Sequence, residues 1–384
     1  MKSAAARLAR LLLASVAIVI SVLIVEAGLR IVRHPMDYLE PRLEPDPILG
    51  FRLQPGSGGH DAWGFRNPAV PERAEVVAVG DSQTWGVAAR WEESWPAWFS
   101  RMTGQGVYNL GIGGYGPIEY LHLLEAKALP LDPELVVVGL YFGNDLRDAY
   151  FSVAARRHWE SFRTASMPAY PDEQLPGTFS RVIPDLVQMS RLKRMRTWFR
   201  RHSMLFRIIE EGPVGQRINA WGDQTEGFSR IGCVVTIDEP FPTIFQPEYR
   251  YEALDLEDPA VVEGLDVTLR VLDRMSDMAA QAGVKFLVVL IPTKESVLLE
   301  SMTQPANDCE QFVVDVIESE RIVVAKVRQH LEERGIAYVD PLQAMRAGAP
   351  SEALYLRTAD SHPNGRGYRI IAEQIVGAAQ KLAP

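Results

Sequence analysis

The sequence predicts an α/β protein built on a doubly wound parallel sheet. Five short apolar runs alternate with stretches of helical periodicity, the pattern of repeated β/α units. Polar or glycine-rich residues stand directly behind most of those runs, where a parallel sheet places its ligands. At 384 residues, 47% hydrophobic and 23% charged, the chain is long enough and apolar enough for a large core.

In chain order, the N-terminus comes first. Lys2, Arg7 and Arg10 precede Leu11 to Val25, a stretch without charge. A secretory signal cleaved after Val25-Glu26-Ala27 fits this pattern. So does an uncleaved anchor. Glu26 and Arg30 stand four apart on a helix and can pair, extending the apolar segment to Val32 and to bilayer length. We expect a signal anchor over residues 1–33 with the bulk of the chain exported. Residues 34–74 are rich in proline and glycine and read as an irregular arm. Within it Trp63-Gly64-Phe65-Arg66 suggests packing onto the remainder.

Residues 75–384 hold the alternating domain. Val76–Val79 is the first strand, ending in Gly80-Asp81-Ser82. A helix from Trp95 to Met102 follows, with Ser94 at its cap position. Val107–Leu110 is the second strand, and Pro117 opens a helix from Ile118 to Leu129. Leu135–Tyr141, apolar almost throughout, reads as a central strand. Alternation stops over about 149–259, which we assign as an insertion or lid. It resumes with an amphipathic helix through Leu265, Leu269, Leu272, Met275 and Ala279, stopped at Gly283. Phe286–Ile291 is the fourth strand, Ile322–Leu331 a helix capped by Gly335, and Ile336–Val339 the fifth strand. Tyr368, Ile371, Ile375, Ala378 and Leu382 mark a closing helix.

Composition excludes several function classes. A net charge of −9 disfavours a nucleic-acid partner. Cys233 and Cys309 form no CxxC pattern, and the histidines show no ligand spacing, so neither a metal nor another cofactor is expected. The two cysteines either pair in an oxidising compartment or remain buried thiols.

Four sites share the functional edge of the sheet: Ser82; Gly111 to Gly116; Gly143-Asn144-Asp145; and Asp360-Ser361-His362-Pro363-Asn364. Acyl transfer needs such a set. A serine attacks only if a histidine takes its proton, and a carboxylate must fix that histidine's tautomer. Backbone N–H groups and an amide serve the oxyanion. Pro363 biases His362 toward extended backbone, and Asn364 is placed to cap the closing helix.

These four blocks resemble those of the SGNH (GDSL-type) hydrolases. The resemblance runs over residues 75–145 and 265–381. It implies a flavodoxin-like three-layer α/β/α fold with a five-stranded parallel sheet. It further implies Ser82 as nucleophile, His362 as base and Asp360 as its orienter. The oxyanion hole would comprise the N–H of Ser82, the N–H of Gly114 (Gly113 if the loop slips by one) and the Asn144 side chain. Many members carry the aspartate three residues before the histidine, where this chain has Ala359; the two-residue spacing of Asp360 also occurs in relatives. The implied activity is a serine esterase acting on O-acyl esters of small molecules or of an envelope glycan. An O-acyltransferase with the same residues, or an idle glycan-binding protein on this fold, are the alternatives.

Other features have plainer readings. Gly111 to Gly116 also spells GxGxxG, yet it follows the second strand, and Glu134 stands before a strand rather than after one, against a dinucleotide site. Asp81 and Asp145 read as loop braces. Trp85, Trp91, Trp95 and Trp98 are divided between core and pocket. Lys294 reads as part of a turn with a local ion pair. The basic run from Arg191 to Arg201 reads as a solvated helix face, with anionic lipid or acidic glycan as the alternative contact.

Overall fold

The computed structural model describes residues 2–168, 191–212, 233–300 and 305–382. Parts of the expected insertion, 169–190 and 213–232, lie outside the described residues. Nine strands and thirteen α-helices are described. They are β1 (Leu43–Asp46), β2 (Gly50–Leu53), β3 (Val76–Gly80), β4 (Val107–Asn109), β5 (Leu135–Tyr141), β6 (Val235–Ile237), β7 (Thr243–Phe245), β8 (Lys285–Ile291) and β9 (Ala337–Val339). The helices are α1 (Lys2–Val32), α2 (Ser82–Trp85), α3 (Trp95–Thr103), α4 (Pro117–Leu123), α5 (Asp145–Ala155), α6 (Arg191–His202) and α7 (Met204–Glu211). They continue with α8 (Pro247–Tyr251), α9 (Pro259–Gln281), α10 (Lys294–Leu298), α11 (Asp308–Glu333), α12 (Leu342–Gly348) and α13 (Gly365–Lys381).

The central sheet has five parallel strands in the order β4-β3-β5-β8-β9. The chain starts inside the sheet, steps outward to β4, then crosses back over β3 to β5. The order therefore reverses beside β3, and the crevice opens at its C-terminal end. Side chains alternate across the sheet, and both faces are covered. Val77, Val79, Val136, Val138 and Val288 pack with α4, α5, α9 and α11 through Leu121, Leu146, Val267 and Val323. Val76, Ala78, Val137, Leu287 and Val289 pack with α3 and α13 through Trp95, Phe99, Tyr368 and Ile371. Two-sided burial explains why these strands are apolar in every register.

Residues 34–74 are less an arm than an outer layer of the domain. The β1–β2 hairpin is antiparallel, and Phe51, Leu53 and Phe65 are buried in the same core as Val77 and Tyr108. Arg66, buried, pairs with Asp37 at 2.8 Å and donates to the carbonyls of Gly86 and Ala89 behind the first strand. Proline and glycine content signalled the irregular path, and the Trp63-Gly64-Phe65-Arg66 run packs onto the remainder as expected, while the depth of the anchoring through the hairpin was not marked.

Two helices differ from expectation. The Pro117 helix tightens and loosens along its length: α4 ends at Leu123, a π-helical turn covers Leu124–Ala128 and a 3-10 turn Leu129–Leu131. Helix α11 is 26 residues long rather than the ten or so of its C-terminal half. Glu320 interrupts its apolar stripe in sequence, yet is buried, accepting from Thr293 N at 3.0 Å and Ser296 Oγ at 2.5 Å. Ser94 does stand at the α3 cap position, but its hydroxyl donates back to Trp91 O rather than accepting from the helix.

Helix α1 is long and apolar enough to cross a membrane, and its central side chains are exposed throughout. Its C-terminal end is engaged. Glu26 accepts from Arg30 Nε, Ser203 Oγ, Met204 N and Leu205 N, so it caps α7 from another element.

Candidate active site

Strand β3 ends at Gly80 because the chain turns sharply there. Gly80 is the cross-strand partner of Gly139 on β5. The Thr84 side chain lies over both: a Cβ at Gly80 or at Gly139 would meet its Oγ1 at 2.1 or 2.5 Å. The pair of glycines lets α2 begin directly on the sheet edge, with Ser82 as its first residue. Asp81 caps that turn, its Oδ1 accepting from Gln83 N at 2.8 Å.

Ser82, His362 and Asp360 meet at this edge. Ser82 Oγ lies 2.8 Å from His362 Nε2. His362 Nδ1 lies 2.6 Å from Asp360 Oδ1, which also accepts from His362 N at 2.9 Å. An ionised carboxylate only accepts, so Nδ1 carries the proton and Nε2 is left to accept from the serine. Burial pushes the Asp360 carboxyl up, but the hydrogen bond and charge of His362 outweigh it, and the carboxyl is held below its ordinary range. The contact spans 280 residues of sequence.

The histidine loop is fixed from several sides. Asn364 caps α13, accepting from Arg366 N and Gly367 N, and donates to Ala353 O. Pro363 forms a bridge with Tyr355. Lys294 is buried and donates through Nζ to Asp360 O and Thr358 O at 3.0 Å and to Ile244 O at 2.9 Å. Among the described residues it makes no ion pair; three backbone carbonyls take the place of the local pair expected of it. Burial lowers its ammonium pKa to about 8.

The three residues expected around the oxyanion lie on the β3, β4 and β5 loops. Gly113 approaches Ser82 most closely: a Cβ there would sit 3.5 Å from Ser82 Cβ and 3.7 Å from Trp85. Gly114 follows it at φ +85°, facing Phe51. Among the described residues no protein group accepts from the N–H of Ser82, Gly113 or Gly114. Asn144, at the start of α5, donates from Nδ2 to Asp148 Oδ2 at 2.6 Å. Asp145 is fully buried and accepts from Tyr120 Oη and Tyr141 N, both at 2.9 Å, bracing the turn. Asp81 does the same beside Ser82. Burial raises its carboxyl to about 6, and its Oδ2 lies 3.2 Å from Ser82 Oγ, further than the histidine nitrogen.

Sequence reasoning missed Arg250. It comes from α8, inside the segment expected to be an insertion, and is buried. Nη1 donates to Gly143 O at 2.6 Å and Nη2 to Ser361 Oγ at 2.7 Å, with the guanidinium 5.4 Å from the Tyr141 ring centre. One side chain thus ties the Asn144 loop to the Asp360–His362 loop. No local pattern around Glu248-Tyr249-Arg250 marks it; only the fold brings the loops together.

Of the four tryptophans, Trp95 is core, Trp98 donates to Gly365 O at 2.9 Å, and Trp91 sits edge-on to His34. Trp85 alone adjoins Gly113. A 410 Å³ cavity between Asn67, Trp91, Ala97 and Tyr108 lies behind β4, and no site residue lines it. Cys233 and Cys309 form a disulfide joining the start of the β6 segment to α11. Such bonds persist in oxidising compartments.

The sheet order, with helices packed on both faces, defines a protein of the doubly wound, three-layer α/β/α class. Residues 251–384 match the family model described as ALGX: SGNH hydrolase-like domain, acetyltransferase AlgX. Over those residues, the C-terminal third of its length, the chain is similar to that SGNH hydrolase-like domain. Solved structures with which it aligns include a putative lipolytic protein of the G-D-S-L family from Desulfitobacterium hafniense, at 14% identity and TM-score 0.36, covering 80% of this chain and 99% of that one. A GDSL-like lipase from Bacteroides thetaiotaomicron aligns at 14% identity and TM-score 0.37, covering 81% and 89%. A catalytic mutant of an acetylxylan esterase from Geobacillus stearothermophilus aligns at 11% identity and TM-score 0.37, covering 80% and 95%. No curated protein gives a significant match.

Proposed function

We propose that the protein is a serine esterase acting on O-acyl esters, with Ser82 as nucleophile, His362 as general base and Asp360 as the group that orients it. The observation that carries this reading is the 2.8 Å contact of Ser82 Oγ with His362 Nε2. Ser82 Oγ attacks the ester carbonyl and its proton passes to Nε2. The N–H groups of Ser82 and Gly114 and the Asn144 amide receive the oxyanion. Collapse expels the alcohol, which takes the proton from His362, leaving acyl-Ser82. Water then gives its proton to His362, attacks the acyl carbon and releases the acid and the free serine. Asn144 would turn from Asp148 or share its second amide hydrogen. Arg250 positions the two loops and touches no reacting atom.

O-acetyl transfer is the second reading, favoured by the acetyltransferase description of the domain matched over 251–384. The acyl-Ser82 step is common to both. Transfer differs only in the acceptor, a glycan hydroxyl in place of water. The experiment supplies the full chain with an activated acetyl ester and an acid-labile or neutral glycan. Acetylated glycan supports transfer; acetate as the sole product supports the esterase. An absence of turnover indistinguishable from His362→Ala would sink both.

We further propose that α1 is an uncleaved membrane anchor and that the domain lies outside the cytoplasm. The basic residues before Leu11 and the Cys233–Cys309 disulfide support export. The role of Glu26 at the α7 N-terminus supports retention of α1, because cleavage after Ala27 would remove that cap. A mature chain whose mass begins at Gly28 would overturn the anchor.

A further inference from the structure

Helices α6 and α7 form a pair whose chemistry differs from the rest of the chain. In a protein of net charge −9, α6 carries Arg191, Lys193, Arg194, Arg196, Arg200 and Arg201 and no acidic residue. One carboxylate beside it is oversubscribed: Glu210 on α7 meets Arg196 at 2.5 Å, Arg200 at 2.8 Å and Arg207 at 3.0 Å, while Arg201 lies 3.8 Å from Glu40. Beside these charges lies an apolar stripe that the fold leaves outside. Met195, Trp198, Phe199 and His202 recur at helical spacing, and Met195 and Trp198 are 54% and 56% exposed. Ile208 and Ile209 on α7 are 37% and 51% exposed. Arg196 and Arg200 turn toward α7, which leaves Arg191, at the N-terminal end of the stripe, and Arg194, on its far flank, both exposed.

The location of this pair on α1 decides what it faces. Glu26 of α1 caps the start of α7, and Arg30 donates to His202 O at the end of α6 at 2.8 Å. Leu11–Val25, the uncharged part of α1, is fifteen residues and rises about 23 Å at 1.5 Å per residue. A hydrocarbon core of about 30 Å is thicker than that. Its outer boundary therefore falls between Glu26 and Val32, the level at which the α6–α7 turn is attached. An amphipathic helix with cations and an exposed tryptophan at that depth has the character of an interfacial element.

We infer that the α6–α7 pair is a second membrane contact, in which Trp198 and Met195 enter the headgroup–acyl boundary and Arg191 and Arg194 face anionic phospholipid. The inference rests on the reading of α1 as a spanning anchor. The apolar stripe supplies area, and each cation near a negatively charged surface adds attraction that salt screens. The pair thereby fixes the height and tilt of the catalytic domain over the bilayer.

The test uses the full chain reconstituted into vesicles of phosphatidylcholine, with or without phosphatidylglycerol, each carrying a brominated lipid that quenches tryptophan. Wild type is compared with Trp198→Phe and with Arg191→Glu/Arg194→Glu, and ester turnover at Ser82 reports that each variant is folded. The expected result is a quenched component that Trp198→Phe abolishes. It should be larger with phosphatidylglycerol, and the double reversal or high salt should remove that increase. Co-flotation of all three proteins after alkaline wash reports α1 separately. Flotation without Trp198-dependent quenching overturns the lipid contact and leaves the anchor standing. Failure to float in any vesicle overturns both. Binding of a soluble acidic polysaccharide that depends on Arg191 and Arg194, with no lipid quenching, would assign the face to glycan and overturn the proposal.

Discussion

Arg250 and Ser361 are hydrogen-bonded at 2.7 Å across 111 residues of chain, and the second arm of the same guanidinium holds Gly143 O at 2.6 Å. The two loops so joined carry Asn144 and the Asp360–His362 pair. Removing the guanidinium leaves buried acceptors without a donor and frees the loops to move separately. Arg250→Ala is expected to lower kcat by about 10- to 100-fold with a smaller change in KM, because misplacement by a fraction of an ångström penalises the transition state most. Arg250→Lys should recover part of the loss. Steady-state kinetics on an activated ester check this, and a pure KM effect would assign Arg250 to substrate binding instead.

Lys294 Nζ serves three carbonyls at once, two of them on the Asp360 loop. Lys294→Met fills the space and leaves those acceptors unpaired, at about 1–3 kcal/mol for each one that water does not reach. Denaturant unfolding should show a loss of roughly 2–4 kcal/mol. Unchanged stability would mean that solvent replaces the ammonium without cost.

Asp148 gives the pH dependence its sign. Burial raises its carboxyl to about 7, while the hydrogen bond from Asn144 pulls the other way. The folded chain therefore keeps a proton that the unfolded chain releases near about 4. Its contribution to stability is full below that value and is lost as pH rises through about 7. Asp148→Asn should flatten the fall in unfolding free energy over this window. An unaltered slope would show that Asp148 ionises as an ordinary carboxyl.

The Cys233–Cys309 bond closes 76 residues and secures the hairpin whose Ile244 O and Thr243 Oγ1 meet Lys294 and the loop carbonyl of Leu356. Cys233→Ser/Cys309→Ser should cost about 4 kcal/mol by loop-closure entropy and reduce activity through the histidine loop. Parallel unfolding and rate measurements on the reduced and oxidised protein test both halves of that statement.

How far the sequence discloses the molecule depends on how local each feature is. Strands such as Leu135–Tyr141, buried on both faces, are legible because every position is apolar. The gathering of Ser82, Asp360 and His362 is legible because a parallel sheet sends all its strand ends to one edge. Arg250, Lys294 and Glu320 are not. Each is a charged residue in an unremarkable local context, and its burial is decided by partners far away in sequence. The layer formed by residues 34–74 is half legible: the aromatic Trp63-Gly64-Phe65-Arg66 run signals docking, whereas nothing local marks Phe51 as part of a core built mostly from residues beyond 75. The choice between Gly113 and Gly114 is one of register, and a glycine-rich loop carries no side chains to mark it.

The central claim is a covalent one. Incubated with an activated acetyl ester or a fluorophosphonate, the intact chain should gain the mass of one acyl or phosphonyl group, mapped by peptide analysis to Ser82. Ser82→Ala should gain none and lose turnover by at least about 10⁴-fold. Stoichiometric labelling that persists in Ser82→Ala, or turnover unchanged in that variant, would contradict the account.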